Sequence, residues 1–201
     1  MKRLFDIIFS SVGLLILAPL FLWLAFTIKR EDAGYIFYRA PRVGKDKKIF
    51  KIFKFRSMVI NADKIGGPTT AGDDLRVTKI GKKIRDFKLD EIAQLINVFN
   101  GQMSLVGPRP EIPSEVKLYG DDCDIIFTVR PGITDYASIE FRDEGGIIER
   151  SGIADPHEAY RQLIQPQKLE LQKQYVRDRS FMLDIKLIIK TLLAILKIGA
   201  F

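Results

Sequence analysis

The chain has 201 residues, of which 47 % are apolar and 28 % charged, and its formal net charge is +7. A single cysteine excludes an internal disulfide, and a single histidine excludes a multi-histidine zinc site. The basic balance indicates an anionic partner, which is nucleic acid, anionic lipid or a phosphorylated small molecule. The apolar residues are concentrated at the two ends, so we expect a polar domain between two membrane-active segments.

The first predicted element is the apolar run from Ile7 to Ile28, which as a helix is about 33 Å long and long enough to cross a bilayer. A cleaved signal peptide is disfavoured because no small-residue cleavage site follows. The basic pairs Lys2-Arg3 and Lys29-Arg30 flank both ends, which favours a re-entrant hairpin with both ends on the cytoplasmic side. Pro19 near the centre would break the helix, although proline is also common in spanning helices. The residues alone leave the hairpin and the straight span open.

The polar middle contains short β-type segments at residues 35–38 and 49–55, the second of which alternates apolar and basic residues as a half-buried strand does. Residues 66–74 form a loop by composition. Residues 79–99 then read as one helix with an apolar stripe, ended by Asn100-Gly101. We therefore expect a small β element followed by a helical region.

An acid pair, Asp90-Glu91, lies on this predicted helix, with Gln94 and Asn97 on the same polar face as Asp90. Two adjacent acids are most often solvated surface groups. Arg85 lies five residues upstream, however, and an aspartate held by cations keeps its charge and can act as a nucleophile or a metal ligand. The pair is the strongest candidate for chemistry.

Two arginines lie in stiff turns. Arg109 stands between Pro108 and Pro110, whose fixed φ angles limit backbone freedom, and it is suited to a planar, bidentate grip on phosphate or carboxylate. Arg130 precedes a Pro-Gly turn and is a second candidate anion contact. For each tetrapeptide a rigid turn with an exposed arginine is the plain alternative.

Near the C-terminus, Ser180 can cap a helix from about Phe181 to Leu196. The lysines of this segment, Lys186, Lys190 and Lys197, share one face opposite aliphatic residues. That pattern is typical of a helix in the membrane interface whose lysines reach the headgroups. A core helix of the globular domain is the alternative.

Each of these motifs is weak alone, but their order is specific. Seven short motifs follow one another along the chain: KFRSM (54–58), DLRVT (74–78), GKKIR (81–85), LDEIAQLINV (89–98), MSLVGPRP (103–110), RPGIT (130–134) and FMLD (181–184). In this order they closely resemble the small monotopic bacterial phosphoglycosyl transferases, the PglC-like bacterial sugar transferase family, and the resemblance covers nearly the whole chain.

The resemblance implies a helix-dominated α+β fold with a small β element in a monotopic membrane protein. It divides the chain into a re-entrant helix–break–helix (1–30), with the break at Pro19, a cytoplasmic catalytic domain (31–179) and an interfacial amphipathic helix (180–201). It implies transfer of a phospho-sugar from a UDP-sugar to a polyprenyl (undecaprenyl) phosphate with release of UMP, the membrane step that initiates glycoconjugate biosynthesis. The expected location is the cytoplasmic face of the bacterial inner membrane, in contact with its lipids.

The resemblance also assigns residues. Asp90 is the nucleophile that forms an aspartyl-phosphosugar intermediate and a ligand of Mg²⁺, and Glu91 supports it or assists the acceptor. Asp184 matches another acid of the family, in a supporting role. The expected phosphate and nucleotide contacts are Lys54, Arg85, Arg109 and, from its own turn, Arg130. The oligomeric state is open, a homodimer included.

The chain departs from the family pattern at Ala18, Ala93, Gln102 and the Asp135-Tyr136 pair. Because the last departure follows the RPGIT motif, it predicts a sugar different from the usual ones. Three other functions compete: a glycosyl transferase that releases UDP, a non-catalytic membrane scaffold, and a nucleic-acid binder. The last is disfavoured because no recognition helix or aromatic stacking set accompanies the basic residues.

Overall fold

The structure, a computed structural model, describes residues 1–66 and 74–198, so most of the predicted loop at 66–74 and the last three residues lie outside it. The helices are α1 Lys2–Asp32, α2 Ala62–Ile65, α3 Lys79–Asp86, α4 Gln94–Phe99, α5 Pro113–Val116, α6 Tyr136–Glu140, α7 Glu144–Arg150, α8 Pro156–Leu163, α9 Gln165–Asp178 and α10 Phe181–Ile198. The strands are β1 Phe37–Tyr38, β2 Pro41–Val43, β3 Ile49–Lys51, β4 Lys54–Phe55, β5 Ser104–Val106 and β6 Gly132–Thr134. Short 3₁₀ segments lie at Lys45–Lys47, Glu91–Ala93 and Asp121–Thr128.

The strands form three two-stranded sheets: β1 with β4 and β2 with β3 are antiparallel, and β5 with β6 is parallel. The helices pack around these small sheets, which confirms the predicted helix-dominated α+β fold. The parallel pair brings Ser104 opposite Gly132. Gly107 and Gly132 approach so closely that a Cβ added at Gly132 would lie 2.0 Å from the Gly107 nitrogen. Gly107 of the MSLVGPRP motif and Gly132 of the RPGIT motif must therefore be glycines, because the two backbones leave no room for a side chain.

The half-buried strand predicted over residues 49–55 is divided into β3 and β4, which pair with different partners. Ile52 donates its backbone N–H to the Ala40 carbonyl at 3.0 Å, and the Phe53 N–H is taken by the Asn97 side chain at 2.8 Å. Because the Phe53 N–H binds a side chain and not a neighbouring strand, strand pairing is interrupted here, and the chain passes from the β2–β3 sheet to the β1–β4 sheet. The basic residues consequently diverge, with Lys51 exposed and Arg56 buried.

The single helix predicted over residues 79–99 is wrong, because the chain turns between α3 and α4. Lys88 adopts a left-handed conformation with φ 54°, and the Leu89 N–H reaches back to the Ile84 carbonyl at 2.8 Å. This turn delivers Asp90 to the start of a new segment. Gln94 and Asn97, which share the predicted polar face with Asp90, are buried, at 1 % and 0 % exposed.

Helix α1 contacts the rest of the chain at both of its ends. Its four buried residues are Asp6, Ser10, Leu24 and Ile28. All residues from 11 to 23, Pro19 among them, are exposed or half-buried. The helix is long and apolar enough to cross a membrane, and it runs as one element through Pro19. The Ser10 and Ser11 hydroxyls both donate to the Ile7 carbonyl, so neither serves a carbonyl freed by the proline.

Helix α10 has one face on the domain and one bare apolar face. The Ser180 hydroxyl accepts from the Leu183 N–H at 3.2 Å, which confirms the predicted cap. Leu187 is 1 % exposed in a core cluster with Val106 and Tyr175. Exposed apolar side chains alternate with the lysines on the rest of the helix, namely Phe181, Met182, Ile189, Leu192 and Leu193. The core interpretation holds for the face that carries Leu187, and the interfacial interpretation stays a prediction for the exposed face.

Candidate functional site

Asp90 lies in the turn before the 3₁₀ segment that leads into α4, against strand β4. Its carbonyl accepts the Phe55 N–H at 3.0 Å, which fixes the backbone of the acid to the strand. Seven residues further on, about two helical turns, the Asn97 side chain accepts the Phe53 N–H. These two contacts hold the acid pair beside β4, and β4 carries Lys54. Lys54, which contacts both acids, is thus 36 residues from Asp90 in sequence and lies on a strand, not on the helix that precedes the acid pair.

Glu91 is held by two cations at once. Its Oε1 accepts from Lys54 Nζ at 2.8 Å, and Arg109 binds it with two nitrogens, Nη1 to Oε2 at 3.0 Å and Nη2 to Oε1. Burial alone would raise the pKa of Glu91, but Arg109 and Lys54 together hold the pKa well below its usual range. The charge of Glu91 raises the pKa of Arg109 in turn. The bidentate grip predicted for Arg109 is therefore made on a carboxylate of the chain itself.

The charge of Asp90 is balanced by nearby cations much less closely than the charge of Glu91. Its nearest cationic atom is Lys54 Nζ at 3.7 Å, too far for a hydrogen bond, and within residues 1–66 and 74–198 its carboxylate accepts none. Burial raises the pKa of Asp90, Lys54 opposes that shift, and the adjacent charge of Glu91 adds to it. A desolvated carboxylate without donors is more basic and more nucleophilic than a solvated one. The structure thus separates the two acids: Glu91 is paired, and Asp90 is available to react.

The charges of Arg85 and Asp90 influence each other. Arg85 Nε donates to the Ser57 hydroxyl at 2.9 Å. Burial lowers the pKa of Arg85, and the charge of Asp90 is the largest opposing influence. Three of the four predicted phosphate contacts, Lys54, Arg85 and Arg109, therefore interact with the acid pair. Their binding of phosphate stays a prediction.

Arg42 is a further cation at this site that sequence reasoning did not single out. Burial lowers its pKa, and Glu111, Tyr38 and Glu91 are among the charges that raise it. Its only described hydrogen bond is from Nη1 to the Pro41 carbonyl at 2.9 Å. It lies in a run crowded with lysines and arginines, and nothing in that run distinguishes it from its neighbours.

Arg130 and Asp184 lie elsewhere. Arg130 Nε donates to the Gly101 carbonyl at 2.8 Å, at the far end of α4 from Asp90. Asp184 is 4 % exposed and binds Lys2 Nζ at 2.5 Å and the Tyr175 hydroxyl at 2.7 Å. Asp184 thus joins α10 to the start of α1, and no described contact links it to the acid pair.

The positions that depart from the family pattern have structural partners. Ala93 is fully buried in the core cluster below the acid pair, and Gln102 Oε1 accepts from Asn97 Nδ2 at 2.7 Å. Asp135 caps α6 by accepting the Ser138 N–H and hydroxyl, both at 2.7 Å, while its second oxygen is buried without a partner in the described part of the chain. Ala18 is exposed on α1.

Gln94 is the one fully buried amide near Asp90 that lacks partners. Both its Oε1 and its Nε2 are buried with no hydrogen-bond partner among the described residues. Leaving a buried polar group unsatisfied costs about 1–3 kcal/mol. Gln94 follows Asp90 by four residues, one helical turn. The sequence places Gln94 on one polar face with Asp90, but nothing in the sequence indicates that this amide is buried.

No group of three or more His, Cys, Asp or Glu side chains converges to hold a metal ion anywhere in the described ranges. A divalent cation at Asp90 would therefore take most of its ligands from outside the chain. Mg²⁺ is commonly bound in this way, through one or two carboxylates, substrate phosphates and water. Because the Asp90 carboxylate carries no hydrogen bond, the donor set fits such a site.

A buried, reactive carboxylate among cations is the make-up of a centre that handles phosphate esters. The comparison with known families agrees: the model of the bacterial sugar transferases, described as "Bacterial sugar transferase", matches residues 1–198. The chain belongs to this family, as its motifs predicted.

Similar curated proteins have related names. The chain is 32 % identical to the exopolysaccharide production protein ExoY of Sinorhizobium fredii, over 96 % of this chain and 84 % of that protein. It is 37 % identical to a UDP-glucose:undecaprenyl-phosphate glucose-1-phosphate transferase of Klebsiella pneumoniae, and 34 % identical to one of Escherichia coli. These alignments cover 94 % and 95 % of the chain but 39 % of each of the two relatives. The chain thus spans most of ExoY and about two-fifths of the two transferases.

Proposed function

We propose that this protein is a polyprenyl-phosphate phosphoglycosyl transferase, which moves a phospho-sugar from a UDP-sugar to a polyprenyl phosphate, undecaprenyl phosphate in the first instance, and releases UMP. The observation that carries this is the desolvated Asp90 carboxylate, free of hydrogen bonds and ringed by Lys54, Arg85 and the Arg109–Glu91 pair. The names of the similar transferases supply the donor and acceptor classes.

The proposed reaction has two steps. In the first, an Asp90 oxygen attacks the phosphorus that bears the sugar, the bond from that phosphorus to the bridging oxygen breaks, and UMP leaves with the electron pair. In the second, an oxygen of the polyprenyl phosphate attacks the same phosphorus, and the bond to Asp90 breaks, which regenerates the carboxylate. Asp90 must be ionised to begin, and no residue needs to be oxidised or reduced.

The surrounding residues have separate roles in this proposal. Phosphoryl transfer depends on positioning and on neutralising charge at the phosphate oxygens. Lys54 and Arg85 both interact with the charge of Asp90, and they would bind the diphosphate. Glu91 keeps Lys54 and Arg109 in place. Mg²⁺ bound through Asp90 and the diphosphate would supply further neutralisation of the leaving UMP.

We also propose that the chain is monotopic, inserted from the cytoplasmic face of the inner membrane with α1 as a re-entrant hairpin. Residues near both ends of α1 are buried on the same domain, while Pro19 and the preceding Ala18 are exposed on the face of the helix opposite Leu20 and Phe21, which pack on the domain core. Because both ends of α1 contact the same domain, they lie on the same side of the bilayer, and the helix cannot span it. The basic pairs Lys2-Arg3 and Lys29-Arg30 flank it, as expected if both ends stay on the cytoplasmic side.

The test is the nucleotide that appears. Protein purified in detergent is given Mg²⁺, undecaprenyl phosphate and a panel of UDP-sugars, and the product is separated as UMP or UDP. We expect UMP from the wild type and none from Asp90→Asn. Asp86→Asn is the matched control, because Asp86 is an exposed acid four residues upstream and its loss should leave the rate unchanged.

A second arm omits the acceptor. The two-step route predicts one UMP per enzyme and an intact-mass increase equal to one sugar phosphate, absent in Asp90→Asn. UDP as the product would assign the chain to transfer of the sugar alone and discard the intermediate. If UMP is released when the acceptor is present but not when it is absent, the phospho-sugar is transferred directly from the UDP-sugar to the polyprenyl phosphate. Unchanged function in Asp90→Asn cells would favour the scaffold.

A further inference from the structure

A second group of charged side chains lines a cavity of about 420 Å³ at the opposite end of the fold from α3, between the start of α1, β5 and the start of α10. Its volume lies within the ~300–1,000 Å³ typical of small-ligand sites. It contains five cations and two acids, namely Lys2, Arg3, Lys45, Arg130 and Arg179, with Asp6 and Asp184. The cavity therefore has an excess of positive charge.

Both acids are already engaged. Asp184 is paired with Lys2 at 2.5 Å and accepts from the Tyr175 hydroxyl. Asp6 Oδ1 accepts the Ser104 hydroxyl at 3.0 Å and the backbone N–H of Leu105 at 3.1 Å. Among the described residues, Lys2 is the one cation of the five that has an acid as a partner, so the excess charge of the cavity rests on the other four.

Those four cations have no counter-ion in the described parts of the chain. Arg3 donates to the carbonyls of the last two residues of α4 at 2.6 and 2.8 Å, and Arg130 donates through Nε to the Gly101 carbonyl. These neutral partners orient the guanidinium groups without cancelling their charge. Within residues 1–66 and 74–198, Lys45 and Arg179 form neither an ion pair nor a side-chain hydrogen bond. Four cations without a counter-ion in the described parts of the chain therefore line one cavity.

The cavity opens beside apolar surface and away from the catalytic acids. Phe181 lines it and is 47 % exposed, and the neighbouring Met182 and Leu4 are 73 % and 63 % exposed. Arg3 is fixed to the carbonyl of Phe99, which follows Glu91 by eight residues, about 12 Å along a helix. An anion held here is therefore beyond reach of the acid pair and next to the surface that would meet acyl chains.

We propose that this cavity binds the phosphate headgroup of an anionic membrane lipid, as a site separate from the catalytic one. Guanidinium and ammonium groups are suited to phosphate oxygens, and basic pockets between membrane-associated helices bind acidic headgroups. The exposed Phe181 and Met182 would contact the lipid chains. Lipid binding would join α1 to α10 at their shared end. This proposal does not depend on the proposed reaction, because it involves no sugar nucleotide.

The test measures lipid binding by native mass spectrometry on the full chain in detergent. The probes are dioctanoyl phosphatidylglycerol, dioctanoyl phosphatidylcholine and inorganic phosphate. The test variant is Lys45→Gln/Arg179→Gln. The control is Lys48→Gln/Arg177→Gln, which removes the same charge from exposed neighbours that do not line the cavity.

We expect phosphatidylglycerol to bind the wild type and the control equally, and the test variant about thirtyfold more weakly, since each cation near a lipid phosphate contributes about fivefold. Equal binding by the two double variants would overturn the proposal. Inorganic phosphate that binds as tightly as phosphatidylglycerol would replace the lipid headgroup with a free anion. Equal melting temperatures of the two variants without lipid establish that folding is not the cause.

Discussion

Asp90→Asn and Glu91→Gln are expected to abolish or strongly reduce transfer, yet to change stability in opposite directions. The two residues are adjacent acids, but their surroundings differ. Glu91 is gripped by Arg109 and Lys54, whereas Asp90 is desolvated without a hydrogen bond to its carboxylate. Each substitution keeps the side-chain size and removes the charge, so the pair isolates electrostatics from packing.

The loss for Glu91→Gln can be worked from the contacts. Removing one partner of a buried ion pair costs about 3–5 kcal/mol. The side chains of Glu91, Lys54 and Arg109 are 19 %, 20 % and 29 % exposed, so solvent screens part of this. We therefore expect a loss of about 2–3 kcal/mol in the free energy of unfolding, which is about 4–12 °C in Tm for a chain of this length.

For Asp90→Asn the sign is reversed. Because burial raises the pKa of Asp90 in the folded chain, its charge destabilises the fold above that pKa, and the penalty disappears as the pH falls below the unfolded value of about 3.9. Asparagine cannot ionise, so the variant should melt above the wild type at pH 8, with the difference shrinking toward pH 4. The assay is thermal unfolding of detergent-solubilised protein across that pH range. A lower Tm for Asp90→Asn at pH 8, or a higher one for Glu91→Gln, would refute the separation of the two acids.

Four further predictions follow from the site. Gln94→Leu should raise the free energy of unfolding by about 1–3 kcal/mol, because it removes a buried amide without partners, and should raise KM if the substrate satisfies that amide; an unchanged Tm would mean that water satisfies it. The plot of kcat/KM against pH should have an acidic limb above the ordinary aspartate range, because Asp90 must be ionised and its pKa is raised. Chelation with EDTA should stop UMP release, and Mg²⁺ should restore it. Asp184→Asn should lower Tm by a few degrees, since it removes the charge that pairs with Lys2 while Oδ1 can still accept the Tyr175 hydroxyl, and leave KM for the sugar nucleotide unchanged.

The sequence predicts those features of the site that are set by residues close together along the chain. The two prolines around Arg109 indicate a stiff arginine, and the structure has it in a bidentate contact with Glu91. The Ser180 cap is similarly local and correct. The helical α+β class follows from an ordered set of motifs. These predictions succeed because each depends on a few consecutive residues.

The rest depends on tertiary contacts that no periodicity contains. Lys88 is a non-glycine residue in the left-handed region, so no glycine or asparagine marks the turn that ends α3. Lys54, one of the two cations that bind Glu91, comes from β4, and only the packing of β4 on the 3₁₀ segment Glu91–Ala93 brings the two residues together. Arg130 lies in a turn motif much like that of Arg109, but it lines the cavity at the far end of α4.

The same packing joins membrane attachment to the chemistry. Leu24 and Ile28 of α1 are buried in one core cluster with Phe55 of β4 and with Ala93, the residue two positions after Glu91. Strand β4 and the segment that carries the acid pair therefore pack on the same end of α1, so the candidate site and the proposed membrane helix share one core. In the proposed membrane insertion, exposed apolar side chains of α1 such as Leu15, Leu22 and Trp23 contact the bilayer, so the bilayer helps to position the ends of the helix. Shortening the apolar centre of α1 should disturb the Lys54–Glu91 contact as well as membrane binding, so a lipid-facing deletion is expected to reduce the rate of transfer even in detergent.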